Sequence, residues 1–275
     1  MKVRGFTLVE LVMVIVITGI IAASATVFLK PAVDSYFDTR RRADLTDMAD
    51  TALRRMSQDI RRAVPNSINY QSATCIGLVP TASGGRFRAA PDTFPSTVLR
   101  GSQWIDTSVA TTAFDVLSVL SPIPAAGDWV VIGNQNGADV YAGSNRAAIS
   151  SVVTPPVPAP GPGEKILGQH RINIASKQFP VGYDGGRFVI VANAEQAVYY
   201  SKVGNTLYRN VTTFAAPACG AVGSVVATDV QNLTFIYNPN AGATQQSGFV
   251  WIRLELGRSG ENVALAHGVH VDNVP

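Results

Sequence analysis

Gly5-Phe6-Thr7-Leu8-Val9-Glu10, continued without a charge through LVMVIVITGIIAASATVFL from Leu11 to Leu29, is the stretch whose reading decides the fold. The uncharged run is 19 residues long. At ~1.5 Å per residue a helix of that length covers about 28 Å, close to the thickness of a bilayer's hydrocarbon core. Lys2 and Arg4 precede it. Basic residues flanking a span stay on the cytoplasmic side, so the bulk of the chain is expected across the membrane. Ala22-Ala23-Ser24-Ala25 imitates the cleavage site of a secretory signal, which would remove the segment. The length of the run, the Gly5-Phe6 flank and the acid at Glu10 argue for retention.

An ionisable group at or near hydrocarbon depth costs up to about a few kcal/mol, so Glu10 asks for a partner. The alternative is a carboxylate that sits at headgroup level and reaches water. Gly5 to Glu10 followed by an apolar helix resembles the processing signal of type IV prepilins and type II secretion pseudopilins. The resemblance implies that prepilin peptidase cuts after Gly5 on the cytoplasmic side and that Phe6 becomes the N-methylated terminus. It gives Glu10 an assembly role, facing the Phe6 amine of a neighbouring subunit. The implied partners are the peptidase, other major and minor pilins, an inner-membrane assembly platform, and the membrane itself through Leu11 to Leu29. A single inner-membrane pass with a cytoplasmic N-terminus and a periplasmic C-terminal domain follows, assembled into a pilus or pseudopilus. The chain then divides into a leader (1–5), a transmembrane and assembly helix (6–30), an amphipathic periplasmic helix (31–65) and a β-rich globular domain (66–275).

Three later stretches are Arg61 to Ile68 (RRAVPNSI), Asn232 to Tyr237 (NLTFIY) and His270 to Pro275 (HVDNVP). They are similar to the MshO-type minor pilins of the mannose-sensitive haemagglutinin (MSHA) pilus, and also resemble J-type minor pseudopilins of type II secretion. What this implies is a non-enzymatic subunit, without catalytic residues or cofactor, that works in fibre initiation, assembly or capping.

Beyond the apolar run, Pro31 is expected to kink a helix without ending it. Leu45, Ala49, Ala52 or Leu53, Met56, Ile60 and Ala63 or Val64 then recur at three-to-four spacing, one apolar stripe that must lie against something. Asp38 with Arg42 and Asp50 with Arg54 are one turn apart on the other side, as on a solvated face. Pro65 ends the helical pattern.

From Cys75 onward short β-type runs alternate with Gly, Pro, Asn and Asp. Strands are predicted at Cys75 to Val79, Phe114 to Leu120, Trp129 to Ile132, Ala147 to Val153, Phe188 to Ala192, Ala197 to Val203, Thr206 to Val211, Leu233 to Tyr237, Phe249 to Leu256 and Val263 to Val271. Gly204-Asn205 and Gly257 to Gly260 read as hairpin turns. No helical pattern intervenes regularly, which favours antiparallel pairing. The fold class is α+β, a pilin-like long helix, membrane-spanning first and amphipathic second, packed on an antiparallel sheet domain. Thr154 to Gly163 and Thr81 to Pro95 read as loops, the second exposing Arg86-Phe87-Arg88 unless those residues form a surface strand.

The whole chain has 22 basic against 19 acidic residues, 47% hydrophobic and 15% charged. Losing Lys2 and Arg4 leaves 20 against 19, a balance of +1 that implies no nucleic-acid partner. Cys75 and Cys219 either close a long loop in an oxidising periplasm or remain two buried thiols. No phosphate loop, HExxH or nucleophile elbow occurs, and His267 and His270 would face opposite sides of a strand, so no metal site is read. A second class of function stays open, a membrane-anchored periplasmic binding or enzymatic module on a borrowed anchor.

Overall fold

A computed structural model describes residues 5–91, 103–154, 168–181, 185–240 and 247–273. The first four residues of the leader expected at 1–5, the loop expected after Thr154, the end of the Thr81 to Pro95 loop and the last two residues lie outside these. One helix, α1 (Leu8–Arg61), runs 54 residues and passes through Pro31 unbroken. Its second half buries the predicted stripe of Leu45, Ala49, Ala52, Leu53, Met56 and Ile60. The strands are β1 (Asn69–Ser72), β2 (Cys75–Leu78), β3 (Ser83–Arg86), β4 (Thr111–Val116), β5 (Trp129–Val131), β6 (Arg146–Val153) and β7 (His170–Lys177). There follow β8 (Arg187–Val191), β9 (Ala197–Val203), β10 (Thr206–Thr212), β11 (Ser224–Ala227), β12 (Val230–Asn238), β13 (Ser247–Arg258) and β14 (Glu261–Asp272).

These strands form three sheets, ordered β1-β2-β9-β10-β11, β12-β13-β14 and β3-β8-β5-β6-β7-β4. Every pairing between them is antiparallel. The helix stripe packs into one core with Ile76, Val198, Tyr200 and Leu207 of the first sheet and Leu233, Phe235, Ile252, Leu254 and Val269 of the second. The fold is therefore α+β, a long apolar helix on antiparallel sheets. The six-stranded sheet carries a core of its own around Phe114, Val130, Ile149, Ile172, Phe188 and Ile190. All of its strands come from the chain between β2 and β9, which are themselves hydrogen-bonded neighbours. It is thus an inserted lobe, joined to the rest through Val64, Val79, Val131, Val191 and Phe214.

Both predicted hairpins form. Gly204 takes φ 58° in the first, and Ser259 and Gly260 take φ 51° and 86° in the second, the two positive values that a tight turn matched to strand twist requires. Four strands were not predicted: β1, β3, β7 and β11. The first and second of these, NYQS and SGGR, carry no apolar alternation to read. Arg86-Phe87-Arg88 is not an exposed basic-aromatic loop, because β3 makes it the end of a surface strand. There Phe87 lies edge-on to Phe114, and Arg88 approaches Asp115 at 3.9 Å. On α1, Arg54 meets Asp50 at 2.6 Å as expected, but Asp38 pairs with Arg41 while Arg42 reaches across to Glu261 on β14.

The end of the helix is fixed by a buried ionic cluster. Asp59 accepts hydrogen bonds from Tyr200 Oη and Arg209 Nε, both at 2.7 Å, and from Arg62 Nε at 3.1 Å. Glu195 takes the other sides of Arg62 and Arg209. Two carboxylates thus balance two guanidiniums where α1 meets β9 and β10. Burial alone would push the Asp59 carboxyl up, but the bonds from Arg209 and Tyr200 and the two cationic neighbours outweigh it and hold the carboxyl below its ordinary value. Cys75 and Cys219 are joined, with Cα atoms 5.8 Å apart, and the bridge encloses the inserted lobe within a separation of 144 residues.

Two stability predictions follow from these contacts. Asp59→Asn leaves Arg209 without its buried counter-charge and should cost about 3–5 kcal/mol in a denaturant midpoint measurement. Because Asp59 titrates lower folded than unfolded, its contribution is whole above the unfolded value of about 3.9 and is lost as pH falls through the folded value. The wild type should therefore lose stability there more steeply than the variant. Replacing Cys75 and Cys219 by Ser should lower stability by up to ~5 kcal/mol, as loop closure over so long a separation predicts. A midpoint unmoved by reductant would show that the bridge does not constrain the unfolded chain.

Candidate functional site

The residues that the sequence singles out lie at the start of α1. Thr7 is its N-cap, extended at φ −80° and ψ 150°, and the Thr7 hydroxyl accepts from the Glu10 backbone N–H at 3.3 Å. The Glu10 carboxylate turns back toward the Thr7 N–H at 3.5 Å. This reciprocal arrangement is a capping box, which satisfies backbone donors that the first turn leaves open and places an anion at the positive end of the helix. The sequence reading did not find it, although Thr7-Leu8-Val9-Glu10 is a capping-box pattern. Glu10 is exposed, so its second oxygen is open to a group from outside the chain. Phe6 is 78% exposed. At Gly5 a Cβ would meet nothing within 4 Å, so the fold of this chain has no steric need for glycine there.

From Phe6 to Tyr36 no residue is buried. The consecutive residues Val14, Ile15, Val16 and Ile17 go once round the helix, and all are exposed by more than half. The most apolar 18-residue window of α1 has a mean hydropathy of 2.6, and none of it is buried against the chain's own core. A helix apolar on all sides requires an apolar surrounding, and an uncovered patch of this size does not persist in water. Among the described residues this is the one helix long and apolar enough to cross a membrane. Two of its hydroxyls are satisfied locally: Ser24 and Thr26 donate to the carbonyls of Ile20 and Ala22 at 2.8 and 2.9 Å. Such bonds spare the hydroxyls from standing unpaired in lipid. Lys30 is the first charge after the run, and Tyr36 and Phe37 lie edge to face shortly beyond it.

Elsewhere, His170 and Asn210 are tied into the fold. His170 is buried; its Nε2 accepts from the Leu120 N–H at 3.2 Å, which leaves the ring proton on Nδ1 to bond Thr154 Oγ1 at 2.7 Å. Burial lowers its pKa. Asn210, the first residue of a glycosylation-type triplet, is buried and donates to the Ala221 carbonyl at 2.9 Å. No group of three or more His, Cys, Asp or Glu placed to hold a metal ion occurs among the described residues.

No curated protein and no solved structure matches this chain. Residues 1–26 match the family model described as the prokaryotic N-terminal methylation motif. That motif covers Gly5, Phe6, Thr7 and Glu10 and most of the apolar run, and it is the signal carried by type IV pilins and pseudopilins, which makes this a pilin-like or pseudopilin-like chain.

Proposed function

We propose that the chain is a minor pilin of a type IV pilus of the MSHA type, acting in fibre initiation, assembly or capping. In this reading prepilin peptidase cuts after Gly5, and Phe6 becomes the N-methylated first residue. Leu11 to Leu29 hold the subunit in the inner membrane with residues 66–275 in the periplasm, until the assembly platform and other pilins take the helix into a fibre. The observation that carries the reading is a capped helix, apolar on every side and packed against nothing of its own chain, with the methylation motif at its tip. Such a surface is covered first by lipid and then by the equivalent helices of neighbouring subunits. Glu10 belongs to the same logic. Its carboxylate compensates the amine of a neighbouring Phe6, and opposite charges in a low dielectric attract strongly.

A J-type minor pseudopilin of a type II secretion system is the second reading. The same motif serves it, and the stretches Arg61 to Ile68, Asn232 to Tyr237 and His270 to Pro275 resemble both subunits. A membrane-anchored periplasmic binding module is the third. Retention of activity by a soluble domain would favour that one.

Mass spectrometry of the protein from its native membrane should find N-methyl-Phe6 as the first residue. A terminus near Ser24 or Ala25, or an intact Met1, defeats the prepilin reading. Gly5→Leu should leave uncut precursor in the membrane, because the fold has room for the side chain and only the peptidase is obstructed.

Glu10→Gln isolates the charge. Glutamine at that position still completes a capping box, so the helix start is kept and only the carboxylate is lost. Cleavage, insertion and the fold of the domain should be unchanged, while the amount of variant in purified fibres relative to its membrane pool should fall by roughly tenfold or more, as for a buried ammonium left unpaired. Equal incorporation would place Glu10 at headgroup level and end the pairing mechanism.

A further inference from the structure

Between the inserted lobe and the end of α1 lies a cavity of about 400 Å³. Val64, Val131 and Val189 give it an apolar floor. Arg86 of β3 and Arg187 of β8 stand at its edge and are register partners. Residues directly opposite on neighbouring strands share a face, and like charges so placed repel. Both guanidiniums are exposed, and among the described residues neither has an ion-pair or side-chain hydrogen-bond partner, so both are open to a ligand. Ser118 adds a third donor. Its Oγ accepts the Arg86 backbone N–H at 3.0 Å and keeps its own proton to give. Gly85 makes this approach feasible, since a Cβ there would come within 2.2 Å of the Ser118 oxygen. Asp272 also lines the cavity, and with two guanidiniums against this one carboxylate the charged lining is net positive.

The pattern of an apolar floor with convergent donors on one side is that of a small-molecule site, and paired guanidiniums suit an oxyanion by charge and by forked geometry. We infer that this cleft binds a small amphiphilic organic anion, with its oxyanion held between Arg86 and Arg187 and its apolar body on the valine floor. The site lies far along the chain from the Gly5 to Glu10 motif and stands whether or not the chain enters a fibre.

The test uses the full chain in lipid nanodiscs, titrated calorimetrically with naphthylacetate, with empty nanodiscs as the blank. Naphthylethanol, which has the same ring without the charge, and inorganic phosphate, which has charge without the ring, are titrated alongside. Saturable binding of naphthylacetate is expected, at least about tenfold tighter than either control, the difference that one or two charge-assisted hydrogen bonds supply. Arg86→Gln with Arg187→Gln should remove that advantage and leave the alcohol's binding unchanged. Both positions are exposed, and near-ultraviolet circular dichroism checks the fold of the double variant. The comparison of acid with alcohol on the wild type needs no variant at all. The proposal is overturned by absence of saturable binding, by alcohol or phosphate binding as tightly as the acid, or by a folded double variant that binds the acid as well as the wild type does.

Discussion

One helix has to satisfy two solvents, and the rest of the molecule follows from that constraint. Over Leu8 to Leu29 the helix of Leu8–Arg61 is apolar all round and keeps none of that surface for its own chain. Over Leu45 to Ile60 it is apolar along one stripe, which two antiparallel sheets cover. Hydrophobic burial at roughly 25 cal/mol per Å² is the main favourable term in both halves. The second half obtains it within the molecule and the first half obtains it from lipid or from other chains. The capping box at Thr7 and Glu10 and the hydroxyl bonds at Ser24 and Thr26 satisfy the helix start and two hydroxyls locally, which leaves mainly apolar contact and the open carboxylate oxygen of Glu10 to the surroundings.

What could be read beforehand divides along the same line. The span, the stripe and ten of the strands were legible because apolar spacing encodes which surface a residue covers. Their exact pairing was not. Nothing in the sequence says that Cys75 to Leu78 lies beside Ala197 to Val203, since that adjacency depends on where the intervening lobe returns the chain. Polar strands such as Asn69–Ser72 and Ser83–Arg86 were invisible for the opposite reason: they are edge strands, held by backbone bonds and lacking an apolar face to reveal them. At the amino terminus, Gly5, Phe6 and Glu10 were singled out through the motif, while Thr7 was passed over. Its role is to hold the backbone, and it became evident only when its hydroxyl was seen to bond the Glu10 amide.

Charge pairing shows a further limit. Asp59 reads from sequence as one more residue on a solvated helix, flanked by arginines. In the fold it is the buried centre of the cluster that joins Arg62, Tyr200, Arg209 and Glu195. Its partners come from 141 and 150 residues away as well as from its own helix turn. Spacing rules find neighbours on one helix and cannot find these.

The place of the inserted lobe also sets an order of events. The strand at Cys75 to Leu78 waits for a neighbour that is made only after more than a hundred further residues, and the sheet that covers the Leu45 to Ile60 stripe most closely is the last hairpin of the chain. Contacts so distant in sequence form slowly, and the apolar surface awaiting them stays open in the meantime. As the chain is made from its amino terminus, the apolar helix is therefore complete well before its own core can close. The membrane acts as a tether for a half-built protein, keeping one apolar surface occupied while the other is still waiting for the strands that will cover it.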